Sequence, residues 1–166
     1  MLNVIRSRRS VAMLIVVALI ASTTVAPASM QTSTDIAVIA HPDVPIADLS
    51  RADLRRMLLG DREFWAPGLR VTLFIRAPIA RERDVAVQDI CEMTEAQFRQ
   101  HWIAKVFRAD TPSGPKIVYS ADMAVDQVSR TPGAIGFVTA AQAAGKNVKI
   151  LRIDGRAPGQ SGYRLK

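Results

Sequence analysis

The stretch from residue 76 to residue 83 carries the side chains best placed to bind a ligand. Arg76 follows an apolar run that predicts a buried strand, and a helix is predicted from about residue 80 to residue 91. Parallel α/β sheets bind ligands where a strand ends and a helix begins, because unpaired amides and the helix dipole favour an anion there. Arg76 adds a fork of donors suited to phosphate or carboxylate. The oxyanion site predicted here consists of Arg76, Ala80, Arg81 and Glu82.

The same arginines have a second interpretation. Arg76, Arg81 and Arg83 would then be surface side chains that pair with Glu82 or Asp84. The residue pattern fits the two interpretations equally well, so both stay open at this point.

Signs of catalysis are few. The nucleophile-elbow, Walker, C-x-x-C and H-E-x-x-H motifs do not occur, and the histidines form no metal-ligand cluster in the sequence. A hydrolase that uses Cys91 and His101 is the one catalytic alternative, but the apolar helical surroundings of Cys91 are typical of a core residue. We therefore expect a protein that is not an enzyme and that uses no metal or cofactor.

Residues 1–28 have the layout of a secretory signal peptide. A segment with three arginines precedes an apolar run at residues 11–21, and a small-x-small site ends at Ala28. This layout predicts export to the periplasm with cleavage near Ala28. Retention as an N-terminal membrane anchor is the alternative.

The rest of the chain is predicted to be a leader at residues 29–34 and one domain at residues 35–166, with a tail from about residue 155. The net charge of +7 falls to +4 without the three arginines of the signal segment. Scattered basic residues with few aromatics exclude a nucleic-acid partner and fit an anionic ligand. The oligomeric state does not follow from the sequence.

Strands and helices alternate along this domain, which predicts an α/β fold with a mixed, mostly parallel sheet flanked by helices. Strands are predicted at residues 35–40, 70–75, 116–119, 134–138 and 148–153, and helices at 51–59, 80–91, 94–106, 121–130 and 140–144. Trp65 is predicted to lie in a turn-rich segment that ends at Pro67-Gly68. A stripe of Phe98, Trp102 and Val106 is predicted to face the core, and Arg51, Arg55 and Arg56 are predicted to face solvent.

Four segments together resemble the phosphate-specific periplasmic binding proteins of ABC importers. They are residues 49–60 (LSRADLRRMLLG) with Trp65 after them, 71–76 (VTLFIR), 131–138 (TPGAIGFV) and 148–163. The resemblance implies a single lobe of a type II periplasmic-binding-protein-like fold. It also implies a non-catalytic role in binding phosphate or another oxyanion for transport or sensing, with an ABC permease or another envelope protein as partner.

The resemblance implies a role for one residue, and the chain differs from the family in two respects. Arg76 matches the family's anion-contacting arginine. The family closes two lobes over its anion, whereas this chain is long enough for about one. Residues 80–82 (Ala-Arg-Glu) stand where the family has a Ser-Gly-Thr loop, and Glu82 would repel an anion if it pointed inward. The alternative function is therefore a degenerate lobe that acts as a protein–protein interaction module, which an exposed apolar patch would favour.

Overall fold

The structure is a computed structural model that describes residues 34–166. The predicted signal peptide, its cleavage site and most of the predicted leader lie outside the described residues. The strands are β1 (Ile36–Ala40), β2 (Asp48–Leu49), β3 (Phe64–Ala66), β4 (Leu69–Arg70), β5 (Thr72–Arg76), β6 (Lys116–Val118), β7 (Ala134–Thr139) and β8 (Lys149–Ile153). The helices are α1 (Arg51–Leu58), α2 (Arg81–Asp84), α3 (Glu95–Phe107), α4 (Ala121–Arg130) and α5 (Ala140–Ala143), and α2 continues as a π-helix over Val85–Ile90.

Six strands form one mixed sheet in the order β2-β8-β1-β7-β5-β6. The pairs β2/β8, β7/β5 and β5/β6 are parallel, and only β1 runs antiparallel to its neighbours β7 and β8. All five residues of β1 are buried, as expected for a continuous apolar run in the middle of a sheet. The carboxyl ends of β2, β5, β6, β7 and β8 therefore meet at one edge of the sheet, where β1 begins.

Helices cover both faces of the sheet. On one face, α1, the π-helix and α3 pack over Leu73 and Ile75 of β5. On the other face, α4 packs over Phe74 and Val118. The alternation of side chains along β5 accounts for this division, because successive residues point to opposite faces. None of the helices within residues 34–166 is long and apolar enough to cross a membrane.

Local signals explain where the helices begin. The hydroxyl groups of Ser50, Thr94 and Ser120 each accept a hydrogen bond from a main-chain N–H in the first turn of α1, α3 and α4. Thr94 also forms a reciprocal capping box with Gln97. Each of these caps satisfies a first-turn N–H group that has no partner within its own helix.

Within the predicted core-facing stripe of α3, Phe98 and Trp102 pack against the core, and the prediction is wrong only for Val106. Phe98 is buried, but Val106 is exposed. The side of α3 that meets the body carries His101, Trp102 and Lys105, which donate to the main-chain oxygens of Leu58, Leu59 and Gly60 at 2.8–3.2 Å. These oxygens end α1 and have no partner within their own helix, so polar donors are needed there instead of an apolar stripe.

Trp65 lies in β3, which pairs with β4 across the turn at Pro67 and Gly68, within the segment predicted to be rich in turns. It is buried, and its indole N–H donates to the Gly133 oxygen at 2.8 Å. A further prediction is corrected. Arg51 and Arg55 are half-buried instead of facing solvent. Arg55 pairs with Glu92 at 3.0 Å and Arg51 donates to the Asp89 oxygen, so both tie α1 to the end of the π-helix.

The C-terminal tail is docked onto the sheet. Tyr163 and Leu165 are buried, and the Tyr163 hydroxyl donates to the Ile36 oxygen at 2.7 Å. The Ile36 N–H in turn donates to the Leu165 oxygen at 2.9 Å. The segment after Asp154 is therefore fixed against the first strand.

Candidate functional site

Arg76 is the last residue of β5 and lies at the edge where the carboxyl ends of the parallel strands meet. Among the described residues, its Nε and Nη1 atoms are buried and have no hydrogen-bond partner. Buried polar atoms are nearly always paired, and leaving a charged donor unpaired destabilises a fold by more than leaving a neutral one. The guanidinium group of Arg76 therefore has two buried donors that no described residue satisfies.

Arg83 holds the main chain beneath Arg76. It is buried, and its Nη1 donates to the Arg76 main-chain oxygen at 2.8 Å. Its Nε and Nη2 bind the two carboxylate oxygens of Glu95 at 2.8 and 2.6 Å. This hydrogen-bonded pair holds the pKa of Glu95 below its ordinary value, chiefly through the hydrogen bonds from Arg83. The interpretation in which Arg83 pairs on the surface with Glu82 or Asp84 is wrong.

A strained turn follows Arg76. The Ala80 N–H donates to the Ala77 oxygen at 3.3 Å, with Pro78 and Ile79 between them. Proline at the second position and a positive φ at the third fit a type II turn, whose third position favours glycine. Here that position holds Ile79 at φ 78°, with its side chain 97% exposed. A β-branched residue in this conformation is rare and strained.

The three remaining predicted site residues lie after the turn. Ala80 precedes α2 and offers no side-chain cap, so the first-turn amides of α2 receive no side-chain acceptor from the cap position. Arg81 is exposed, and its Nη1 donates to the Thr34 oxygen at 2.9 Å. Glu82 is buried and forms no ion pair within the described part of the chain. Arg76, Ala80 and Arg81 thus border one edge of the sheet, and Glu82 brings a negative charge close to it.

The alternative catalytic pair gains no support. Cys91 is completely buried, and burial raises the pKa of its thiol to about 12, so the thiolate is scarce near neutral pH. The Nε2 of His101 donates to the Leu59 oxygen at 2.9 Å. Within residues 34–166, no group of three or more His, Cys, Asp or Glu side chains is arranged to hold a metal ion.

A cavity of about 220 Å³ lies at the opposite edge of the sheet. Thr72 begins β5 and lines it, together with Trp102, Thr111 and Lys116. Because β5 runs away from this cavity towards Arg76, the cavity and the strand-end arginine are separate features. No residue pattern predicted this cavity, which forms where the loop at residues 111–115 meets α3.

Solved structures provide the comparison with known proteins. No family model and no curated protein matches the chain. An ABC-type phosphate transport receptor from Vibrio cholerae matches with a TM-score of 0.58 at 17% identity, over 75% of this chain and 48% of its own. PstS from Borrelia burgdorferi matches with a TM-score of 0.57 at 21% identity, over 75% of this chain and 49% of its own.

The chain therefore spans about half the length of the solved structures that it matches. At these identities the likeness concerns the fold. It confirms the predicted fold class: this chain has an α/β fold with a mixed, mostly parallel sheet flanked by helices, and these solved structures share that fold.

Proposed function

We propose that this chain is a non-catalytic, solute-binding-like protein that binds phosphate or another oxyanion at Arg76, for transport or sensing. The observation that carries the proposal is the buried and unpartnered pair of nitrogens, Nε and Nη1, on Arg76 within the described part of the chain. Each of these nitrogens has an N–H group that no described residue accepts, and charge-assisted donors of this kind bind the oxygens of a phosphate or carboxylate.

The anion would lie above the end of β5. Alternation along β5 directs Arg76 towards the sheet face of α4, because Phe74 packs there. The Ala80 amide already donates to the Ala77 oxygen. The amides of Arg81 and Glu82 begin α2, which continues into a π-helix on the other face. Only a ligand above the strand end would reach both Arg76 and these amides. The buried Glu82 opposes a dianion, which favours a singly charged anion or weak binding.

The solved neighbours support this ligand class. Two of them are a phosphate transport receptor and a protein assigned as a phosphate ABC transporter substrate-binding protein, solved with phosphate bound. An ABC permease or another envelope protein is the corresponding proposed partner. The signal-peptide pattern of residues 1–28 supports a periplasmic location.

Calorimetric titration tests the ligand. We expect saturable heat with phosphate or sulfate, weaker heat with acetate, and at least a ten-fold loss of affinity in Arg76→Gln. Arg130→Gln is the matched control. It removes the same charge, but Arg130 is exposed at the C-terminal end of α4, far from Arg76. Equal losses in both variants, or no heat from folded protein with any of the anions, would refute the proposal.

A second function is favoured by apolar side chains near the same edge. Four exposed apolar side chains lie there. Ile79 follows β5, Ile117 and Tyr119 lie in and just after β6, and Met123 lies in the first turn of α4. A degenerate lobe that binds another envelope protein would use such a surface. A photo-crosslinking residue at position 79 or 119 would then give a discrete crosslinked species in cells, and the same residue at the exposed position 146 would not.

A further inference from the structure

Three arginines from distant parts of the sequence line a second cavity, beside the carboxyl end of β8. Arg51 begins α1, whereas Arg156 and Arg164 belong to the tail. The cavity measures about 470 Å³, and Ile153, Asp154 and Gly162 complete its lining. Two strands, β1 and β7, lie between β8 and β5. Three strand spacings place this cavity about 14 Å from the carboxyl end of β5, so it is distinct from the site proposed at Arg76.

The main chain of each of the three arginines is anchored to the body of the protein. The Arg51 N–H donates to a carboxylate oxygen of Asp154 at 3.0 Å. Arg156 exchanges two main-chain hydrogen bonds with Ile153, at 2.9 and 3.0 Å. Arg164 lies between Tyr163 and Leu165, whose buried side chains fix the tail and leave Arg164 exposed. A site with anchored backbones loses less conformational entropy when a ligand binds.

The three guanidinium groups are not neutralised within the described residues. Most arginines there form ion pairs, but Arg51, Arg156 and Arg164 form none. Arg51 donates to the main-chain oxygen of Asp89 and Arg156 to that of Ser161, which orients both groups without cancelling their charge. The one carboxylate of the lining, Asp154, accepts from the Arg51 N–H. The lining therefore keeps a positive excess.

Glycine at position 162 makes room for Arg156. A Cβ at this position would lie 3.0 Å from both Cζ and Nη1 of Arg156, and the φ of 81° also favours glycine. The guanidinium group can therefore lie directly over the main chain at Gly162, and both residues line the cavity.

From these observations we propose that the cavity is a binding site for a small polyanion that carries at least two phosphate or carboxylate groups. A cavity of this size lies in the range of small-molecule sites, about 300–1,000 Å³, and is larger than one phosphate requires. Three forked cations around it match several anionic groups at once. A single phosphate would leave part of the positive charge unmatched.

The test uses inorganic triphosphate, citrate and orthophosphate, titrated into the purified protein at constant ionic strength. We expect saturable binding that is tighter for triphosphate or citrate than for orthophosphate. Arg51→Gln and Arg164→Gln should each weaken it at least ten-fold. Arg152→Gln is the matched control, because Arg152 also lies beside this edge and is exposed, but it does not line the cavity. Arg76→Gln should leave this binding unchanged, which separates it from the orthophosphate binding proposed above.

The amide resonance of Gly162 locates the ligand independently of affinity. It should shift with the same saturation curve as the heat of binding. Equal weakening by Arg152→Gln and Arg164→Gln would show diffuse attraction between charges and overturn the proposal. Saturable binding that leaves the Gly162 resonance unmoved, or no binding of triphosphate or citrate at all, would also overturn it.

Discussion

Arg83 donates a hydrogen bond to the main-chain oxygen of Arg76 at 2.8 Å. One arginine thereby holds the end of the strand that carries the other. All three side-chain nitrogens of Arg83 donate hydrogen bonds, two to Glu95 and one to this oxygen. Arg76, by contrast, has two buried nitrogens without a partner in the described part of the chain. The first is a positioning residue and the second is the candidate ligand-binding residue.

Replacing Arg83 should destabilise the fold. In Arg83→Met the apolar stem of the side chain is retained, but the bonds to Glu95 and to the Arg76 oxygen are lost. We expect the free energy of unfolding to fall by about 2 kcal/mol, since Glu95 is partly exposed and does not become a fully buried charge. Urea denaturation measures this. Arg130→Met, which breaks an exposed pair with Asp126, should change stability by less than about 0.5 kcal/mol. Equal effects would contradict the assigned role of Arg83.

Stability should decline in acid, partly through Glu95. Its pKa is lower in the folded protein than its ordinary value of 4.5, so the folded state binds its proton less readily than the unfolded state. This contribution to stability is complete above pH 4.5 and disappears as the pH falls through the folded pKa. Unfolding measured at pH 7 and pH 3 should show a smaller loss in Glu95→Gln than in the unchanged protein. Some loss of stability in acid should remain in Glu95→Gln, because the pKa of Asp53 is also lowered by hydrogen bonds from Arg56 and Ser50. An identical loss in both proteins would refute the assignment to Glu95.

Ile79→Gly should stabilise the protein. Glycine adopts the positive φ of this turn position without steric strain, and the exposed isoleucine side chain contributes no burial. We expect a gain of about 1 kcal/mol in the free energy of unfolding, reduced somewhat by the greater freedom of glycine in the unfolded chain. Ile79→Ala is the control, because it removes apolar surface but keeps most of the strain. A loss of stability in Ile79→Gly would show that the turn is not strained.

Two glycines with similar φ values should respond differently to alanine. A Cβ at Gly133 would lie 2.1 Å from the Arg70 oxygen, whereas one at Gly145 would meet nothing within 4 Å. Gly133→Ala must therefore move the β4–β5 segment as well as strain φ, and we expect a loss above about 3 kcal/mol. Gly145→Ala has only the cost of a positive φ, about 1 kcal/mol. Thermal unfolding compares the two, and similar melting temperatures would contradict the close contact at Gly133.

Local signals made much of the fold predictable. The helix at residues 121–130 has the predicted bounds, because the residues on either side of it mark both ends. Ser120 caps its start, and Thr131-Pro132-Gly133 ends it. The buried strands were recognisable because each is a short apolar run. Arg76 was placed correctly at a strand end for the same reason.

The interactions of the arginines were not predictable, because they depend on contacts between distant segments. Pairing of Arg83 with a neighbour in sequence was one of two open interpretations, yet Arg83 binds Glu95 across the break between two helices. Arg51 meets Arg156 and Arg164 only because β8 and the tail return to the start of α1. Composition and periodicity contain no information about such contacts between residues that are far apart in the sequence.

Binding of phosphate at Arg76 can be followed through the side-chain N–H resonances of the arginines. Phosphate is titrated into the ¹⁵N-labelled protein while the Nε–H signals of Arg76 and Arg83 are followed. We predict a saturable shift of the Arg76 signal, because its Nε has no partner in the described residues, and a nearly constant Arg83 signal, because its Nε already binds Glu95 at 2.8 Å. An unchanged Arg76 signal, or equal drifts of all arginine signals, would contradict the account.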